Sequence, residues 1–130
     1  MGKITIITKN RREIIDLTED IESAISASNK NDGLIVLNIV HTTAALTTAD
    51  LDPGTDLDML DAFDGMVPRL SYRHPHDPSH VKDHILASMI GSQLIIPFDA
   101  GKLILGVWQR PVIVEFNGPK KRTIYVKFII

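Results

Sequence analysis

The chain has 130 residues, 44% of them hydrophobic and 23% charged, and its 14 basic and 16 acidic side chains leave a net charge of -2. That is the size of one ordinary domain, long enough to bury roughly two-thirds of its unfolded surface around a single core. The charge balance excludes a global positive field for nucleic acid or anionic lipid, and the lack of cysteine excludes disulfides, thiolate zinc sites and a cysteine nucleophile.

In chain order, residues 3 to 8 (KITIIT) alternate with β-branched side chains, and 12 to 17 (REIIDL) pair with them across a turn at 9–11 as an opening hairpin. The start alternates where a signal peptide would be continuously apolar, and no run approaches the ~20 residues that span a bilayer. A cytoplasmic protein that does not enter a membrane is therefore expected. After Thr18, the acidic first turn and the spacing of Ile21 and Ile25 predict a helix over 19–29, with Gly33 beyond its end. The continuously apolar run GLIVLNIV, 33 to 40, predicts a buried strand with His41 at its exit.

A second helix starts near the Asp-Pro-Gly at 52–54 and places Leu57, Leu60 and Phe63 on one side. A third has Asp77 as N-cap, Pro78 at the first helical position and Gly91 as its stop. Its expected core stripe is Val81, Ile85, Ser88 and Met89, with His80 and His84 four apart along the edge. From Ser92 the pattern is all strand: QLIIPF, KLILGVW, PVIVEF and RTIYVKFII, separated by tight turns. Strands segregated from about three helices predict a single α+β domain over 1–130, its sheets mostly antiparallel. The apolar content exceeds what a small monomer needs, which favours an oligomer.

The chemistry gathers on five histidines: His41 at the strand exit, and His74, His76, His80 and His84 within eleven residues. Neutral imidazole suits zinc and other transition metals, and three ligands with an open position make a catalytic zinc site. Histidine also moves protons and donates to anions, and a solvated, pH-responsive helix face has the same local pattern. HVKDH lacks the glutamate that HExxH hydrolases use. Thr42 and Thr43 put two hydroxyls beside His41, where a phosphate or carboxylate would be held. Asp50, Asp52, Asp56, Asp58 and Glu115 are the candidate general bases, and Trp108 with Gln109 would wall a small-molecule pocket. Lys120 to Arg122 reads as a solvated basic turn. No dinucleotide, P-loop or serine-hydrolase motif is present.

Several ordered blocks, HTTAALT at 41–47, YRH at 72–74, HILASMIG at 84–91, GKLILGVWQ at 101–109 and EFNGPKKR at 115–122, resemble the YjbQ-like proteins, a family of secondary thiamine-phosphate synthase enzymes. The resemblance spans nearly the whole chain. It implies an α+β homotrimer with sites near subunit interfaces that take a small phosphorylated substrate. It also implies a polar cluster of His41, His74 and His84, as ligands of a divalent metal such as zinc or of an anion, ringed by Asp58, Trp108, Gln109, Glu115 and Arg122. On this expectation His41, Asp50 and Glu115 do the proton chemistry, while Thr42, Thr43, Trp108, Gln109 and Arg122 bind substrate.

The chain departs from the family pattern at Ala49-Asp50 (usually Asn-Glu), Val107 (Thr) and Lys121 (Arg). The shorter acid at Asp50 draws its carboxylate back by one methylene, roughly 1.5 Å. The expected activity joins a pyrimidine pyrophosphate to a thiazole phosphate, usually with magnesium on oxygen ligands. A three-histidine site is a poor magnesium site, so thiamine-phosphate synthesis is expected as a side activity. Two alternatives are a metal-dependent hydrolase of a small phosphorylated compound and a non-catalytic, ligand-binding trimer.

Overall fold

The computed structural model describes residues 2–74 and 76–130. It is an α+β domain of two antiparallel sheets with three helices. Strands β1 (Gly2–Ile7), β8 (Lys121–Ile129), β3 (Gly33–Ile39), β5 (Gln93–Asp99) and the two-residue β6 (Lys102–Leu103) form one sheet in that spatial order. Strands β2 (Glu13–Asp16), β7 (Arg110–Glu115) and β4 (Ala44–Ala49) form the other. The helices are α1 (Thr18–Ser28), α2 (Thr55–Met66) and α3 (Val81–Ile90), the last entered through a 3-10 turn at Pro78–His80.

Strand alternation sorts the side chains into two cores. Ile4 and Ile6 of β1, Ile35, Leu37 and Ile39 of β3, and Ile124 and Val126 of β8 face the other sheet, where they meet Ala44, Leu46 and Ile113. Helix α1, with Leu17 just before it, adds Leu17, Ile21 and Ile25 to this core, each with no exposed surface. The opposite face of the three-stranded sheet, with Ala45, Val112, Val114 and Phe116, is covered by Leu60 of α2 and by Leu86 and Ala87 of α3. The layers thus run sheet, core, sheet, core, helix pair. No helix is long and apolar enough to cross a membrane among the described residues.

Four expectations are corrected. The opening hairpin does not form: β1 pairs with β8 and β2 with β7, so the chain steps from one sheet to the other between them. Residues 44–49, with no element predicted, form β4 against β7. Of KLILGVW only Lys102 and Leu103 are strand, and a turn at 106–109 leaves Val107 83% and Trp108 70% exposed. Finally, both amphipathic faces shift. Leu57 is exposed on α2, and α3 turns Asp83, Leu86 and Ala87 inward while Ser88 and Met89 face out.

Helix α1 forms where it is predicted, one residue earlier at each end. Asp16 Oδ1 accepts from the Thr18 N–H at 2.8 Å, and Asn29, in the left-handed region at φ 59°, ends the helix four residues before Gly33. Asp77 caps as predicted, accepting from the Ser79 N–H at 3.0 Å, and Gly91 ends α3.

Candidate functional site

Where β3 runs out, its ladder with β8 is finished by a side chain. Beyond Ile39, paired with Ile124, the Val40 N–H donates to the Thr123 carbonyl at 3.3 Å. The Thr123 N–H then donates to Nε2 of His41 at 2.9 Å, where a strand would have offered a carbonyl. An imidazole that accepts at Nε2 carries its proton on Nδ1, so the ladder fixes the tautomer. Burial and then the nearby Arg122 charge lower the His41 pKa below 6.5, against a smaller opposing pull from Glu115. His41 is therefore neutral at neutral pH, with Nδ1–H as the donor it can offer a ligand.

The turn behind His41 is held by a buried polar network between the sheets. Arg122 is 1% exposed and Glu115 fully buried. The Arg122 guanidinium donates through Nε to Glu115 Oε1 at 2.9 Å and through its terminal nitrogen to Oε2, and also to the Thr43 carbonyl at 3.2 Å and hydroxyl at 2.8 Å. The buried Thr8 hydroxyl donates to Glu115 at 2.7 Å and accepts from the Lys120 N–H at 2.8 Å. Burial alone raises the Glu115 pKa, but the hydrogen bonds from Arg122, Thr8 and the Asn117 N–H, with the Arg122 charge, outweigh it and leave the pKa below 4.5. Gly118 makes room for this corner, since a Cβ there would collide with the Asn10 carbonyl oxygen.

Around His41 opens a cleft of about 410 Å³, lined by Thr42, Ala44, His84, Ala87, Ser88, Gly91 and Ser92 as well. His84 and Ser88 lie four apart on α3, and the end of that helix is tied to the sheets by backbone hydrogen bonds: Leu46 N–H to the Gly91 carbonyl at 3.0 Å and Ile39 N–H to the Ser92 carbonyl at 2.9 Å. No carboxylate, lysine or arginine is among the lining residues. The cleft presents an imidazole N–H, three hydroxyls and a second imidazole.

The structure splits the residues expected to form one site into three places. His41, Thr42 and His84 meet in the cleft, and the His74 ring stacks on His84, with centroids 5.1 Å apart and planes 19° apart. Thr43, Glu115 and Arg122 lie together in the internal network, buried and hydrogen-bonded to one another, and none of them lines the histidine cleft. Asp50, Trp108 and Gln109 line a second cleft of about 430 Å³ at the far end of β4. That strand, five steps of about 3.4 Å, separates the two clefts by roughly 17 Å within one chain. Asp50 there accepts from the Asp52 N–H at 2.8 Å, and Gln109 braces its turn by accepting from the Gly106 N–H at 3.0 Å and donating to the Thr48 hydroxyl at 3.2 Å. Asp58 is exposed on α2. Ser88 and Ser92 are not expected in the site from the sequence, which puts Ser88 in the core stripe; its i,i+4 relation to His84 is the pattern by which it could be found.

The three expected metal ligands do not converge. His41 Nε2 is used by Thr123, and His74 Nδ1 accepts from the His76 and Asp77 N–H groups at 3.3 and 3.2 Å. The nearly parallel rings of His74 and His84 send their in-plane lone pairs along separate planes, and no metal-holding trio of His, Asp or Glu is present among the described residues. The donor set fits an anion better than a cation.

A family profile described as UPF0047 protein YjbQ-like matches residues 2–130. A UPF0047 protein of Archaeoglobus fulgidus is 35% identical over 126 residues, covering 96% of this chain and 98% of its own. The UPF0047 protein YugU of Bacillus subtilis is 32% identical over 127 residues, covering 97% and 96%. The crystal structure of an uncharacterized YjbQ/UPF0047 family protein from Clostridium acetobutylicum superposes with a TM-score of 0.90 at 35% identity, covering 99% of this chain and all of that one. With the profile running from the first strand to the last residue, this chain belongs to the YjbQ-like UPF0047 family.

Proposed function

We propose that the chain is an enzyme of small phosphorylated compounds, with the histidine cleft receiving a phosphate or pyrophosphate group. The observation that carries this reading is the fixed tautomer of His41, whose free edge is a donor in a cleft of hydroxyls with no carboxylate to repel an anion. His41 Nδ1–H, Thr42, Ser88 and Ser92 would hold non-bridging oxygens, and His84 the remaining edge.

Thiamine-phosphate synthase chemistry is the transferase form of this reading. The thiazole nitrogen lone pair forms a C–N bond to the pyrimidine methylene carbon, the C–O bond breaks, and pyrophosphate leaves with the bonding pair. No proton need move, which suits a cleft that neither Asp50 nor Glu115 reaches. What the cleft supplies is stabilisation of the departing pyrophosphate. Ester hydrolysis is less well supported, because activating water needs a base, and His84 is the one lining group of that kind besides the engaged His41.

The reading includes assembly into a homotrimer. Its support is the outer face of the five-stranded sheet, where Ile7, Leu34, Val40, Ile95 and Ile129 stand exposed. The test is release of pyrophosphate from a pyrimidine pyrophosphate with and without the thiazole phosphate, for wild type, His41→Ala and Ser88→Ala. The expected result is thiazole-dependent release, lowered about a hundredfold in His41→Ala, the scale of one lost oxyanion donor. Equal release by all three proteins would contradict it.

A further inference from the structure

Helix α3 carries an aspartate where its core-facing stripe calls for an apolar residue. Asp83 shares the inner face with Leu86 and Ala87 and has no exposed surface, yet neither of its carboxylate oxygens has a hydrogen-bond partner among the described residues. Its nearest cations are the guanidiniums of Arg11, 3.5 Å from one oxygen, and Arg12, 3.6 Å from the other. Charge-assisted hydrogen bonds run to 2.7–2.9 Å or so, so the carboxylate sits in the field of two arginines without being bonded by either. Burial raises its pKa above 3.8 even so.

Such a group does not serve stability: an apolar side chain of similar volume in place of a buried, poorly satisfied ion is often neutral or stabilising. What it does serve follows from how the two ends of α3 are attached. The C-terminal end is fixed by backbone hydrogen bonds from β4 and β3 to Gly91 and Ser92. The N-terminal turn, which carries His84, is seated by side-chain charges: Asp83 against Arg11 and Arg12, and Lys82 Nζ against Asp64 at 2.7 Å, with Arg12 paired to the same Asp64. The carboxylate is thus the buried link between the connection from β1 to β2 and the helix turn beside the cleft, next to the exposed one through Asp64.

We infer that Asp83 is a positioning residue of the histidine cleft: held between Arg11 and Arg12, it sets how the first turn of α3 lies, and with it where His84 meets a ligand. This rests on the reading of the cleft as the ligand site, and it explains a buried charge that packing does not.

The test compares wild type with Asp83→Asn, Asp83→Leu and Asp83→Glu by three readouts: the thermal midpoint, pyrophosphate affinity by calorimetry, and the imidazole 1H–15N signals of His84 and His74. In Asp83→Asn and Asp83→Leu the midpoint is expected to stay level or rise, the His84 signals to shift and broaden, and the affinity to fall about tenfold, the lower end of what losing a group that orients a ligating histidine costs. Asp83→Glu, which keeps the charge, is expected to retain the wild-type His84 signals. Unchanged His84 signals in Asp83→Asn and Asp83→Leu would overturn the inference, as would an affinity loss that merely tracks a falling midpoint. If wild type itself binds no pyrophosphate, the proposed function fails, and the His84 signals decide the role of Asp83 on their own.

Discussion

Two carboxylates are taken completely out of water, Glu115 between the sheets and Asp83 under α3, and their surroundings are opposite. Glu115 accepts from Arg122 through both oxygens, from Thr8 and from the Asn117 N–H, and its pKa falls. Asp83 has two arginines at arm's length and no hydrogen bond among the described residues, and its pKa rises. The difference teaches where rigidity and adjustability lie around the cleft. His41 stands on a turn whose supports are fully satisfied, whereas His84 stands on a helix turn whose buried carboxylate meets its arginines only at 3.5 and 3.6 Å, the closer Lys82–Asp64 contact lying at the exposed side.

The largest effect is expected at the satisfied acid. Glu115→Gln leaves Arg122 as an unpaired buried cation and should cost about 3–5 kcal/mol in urea denaturation; a loss below ~1 kcal/mol would dissolve the contrast with Asp83. Thr8→Val removes one donor to Glu115 and the acceptor of the Lys120 N–H, and should cost about 1–3 kcal/mol by the same measurement.

Acid sharpens the comparison. Glu115 binds fewer protons folded than unfolded, so its contribution is complete above pH 4.5 and is lost as the pH falls through its lowered pKa. His41, lowered from 6.5, has the same sign: the fold is weakened as the pH drops below 6.5 toward the depressed value, because protonating the ring means giving up the bond from Thr123. Asp83 has the reverse sign, since the folded state holds its proton more tightly. Any stability gained by Asp83→Asn should therefore be complete at pH 7 and shrink as the pH falls through the raised Asp83 pKa to below 3.8. Denaturation curves at several pH values for wild type, Glu115→Gln and Asp83→Asn should show the two variants approaching wild type from opposite sides. The smallest effect belongs to Leu57→Ala on α2, expected within ~0.5 kcal/mol because the side chain is 62% exposed; Leu60→Ala, buried on the same helix, should cost about 2–5 kcal/mol.

Period and punctuation made α1, β3, β5, β7 and β8 legible in the sequence, because each buries a regular apolar face. β4 was not, because AALTTA has too little apolar contrast to announce a strand; its pairing with β7 supplies the order. The opening hairpin was misread because alternation says which residues face inward but not which strand they pair with. On α3, ten residues with an aspartate in the core stripe let the period be read a step out of place, which put Ser88 in the core and hid Asp83.

The site was legible in part for a related reason. His41 and Thr42 are legible by residue type at a strand exit, His84 is singled out from the other clustered histidines by the family resemblance, and all three line one cleft. Glu115 and Arg122 have the residue types of catalytic groups, and only the hydrogen bonds they exchange show them to be internal supports. Asp50 and Trp108 belong to a different cleft because β4 runs between the two, a separation that a strand unseen in the sequence could not reveal.

The most direct measurement is the long-range 1H–15N imidazole spectrum of labelled protein at pH 7, recorded while pyrophosphate is added. The expected result is a free His41 protonated on Nδ1 with Nε2 accepting, and a saturable shift of the His41 and His84 signals as the anion fills the cleft. A His41 protonated on Nε2, or signals of both histidines that stay in place through millimolar pyrophosphate, would contradict an anion site built on that tautomer.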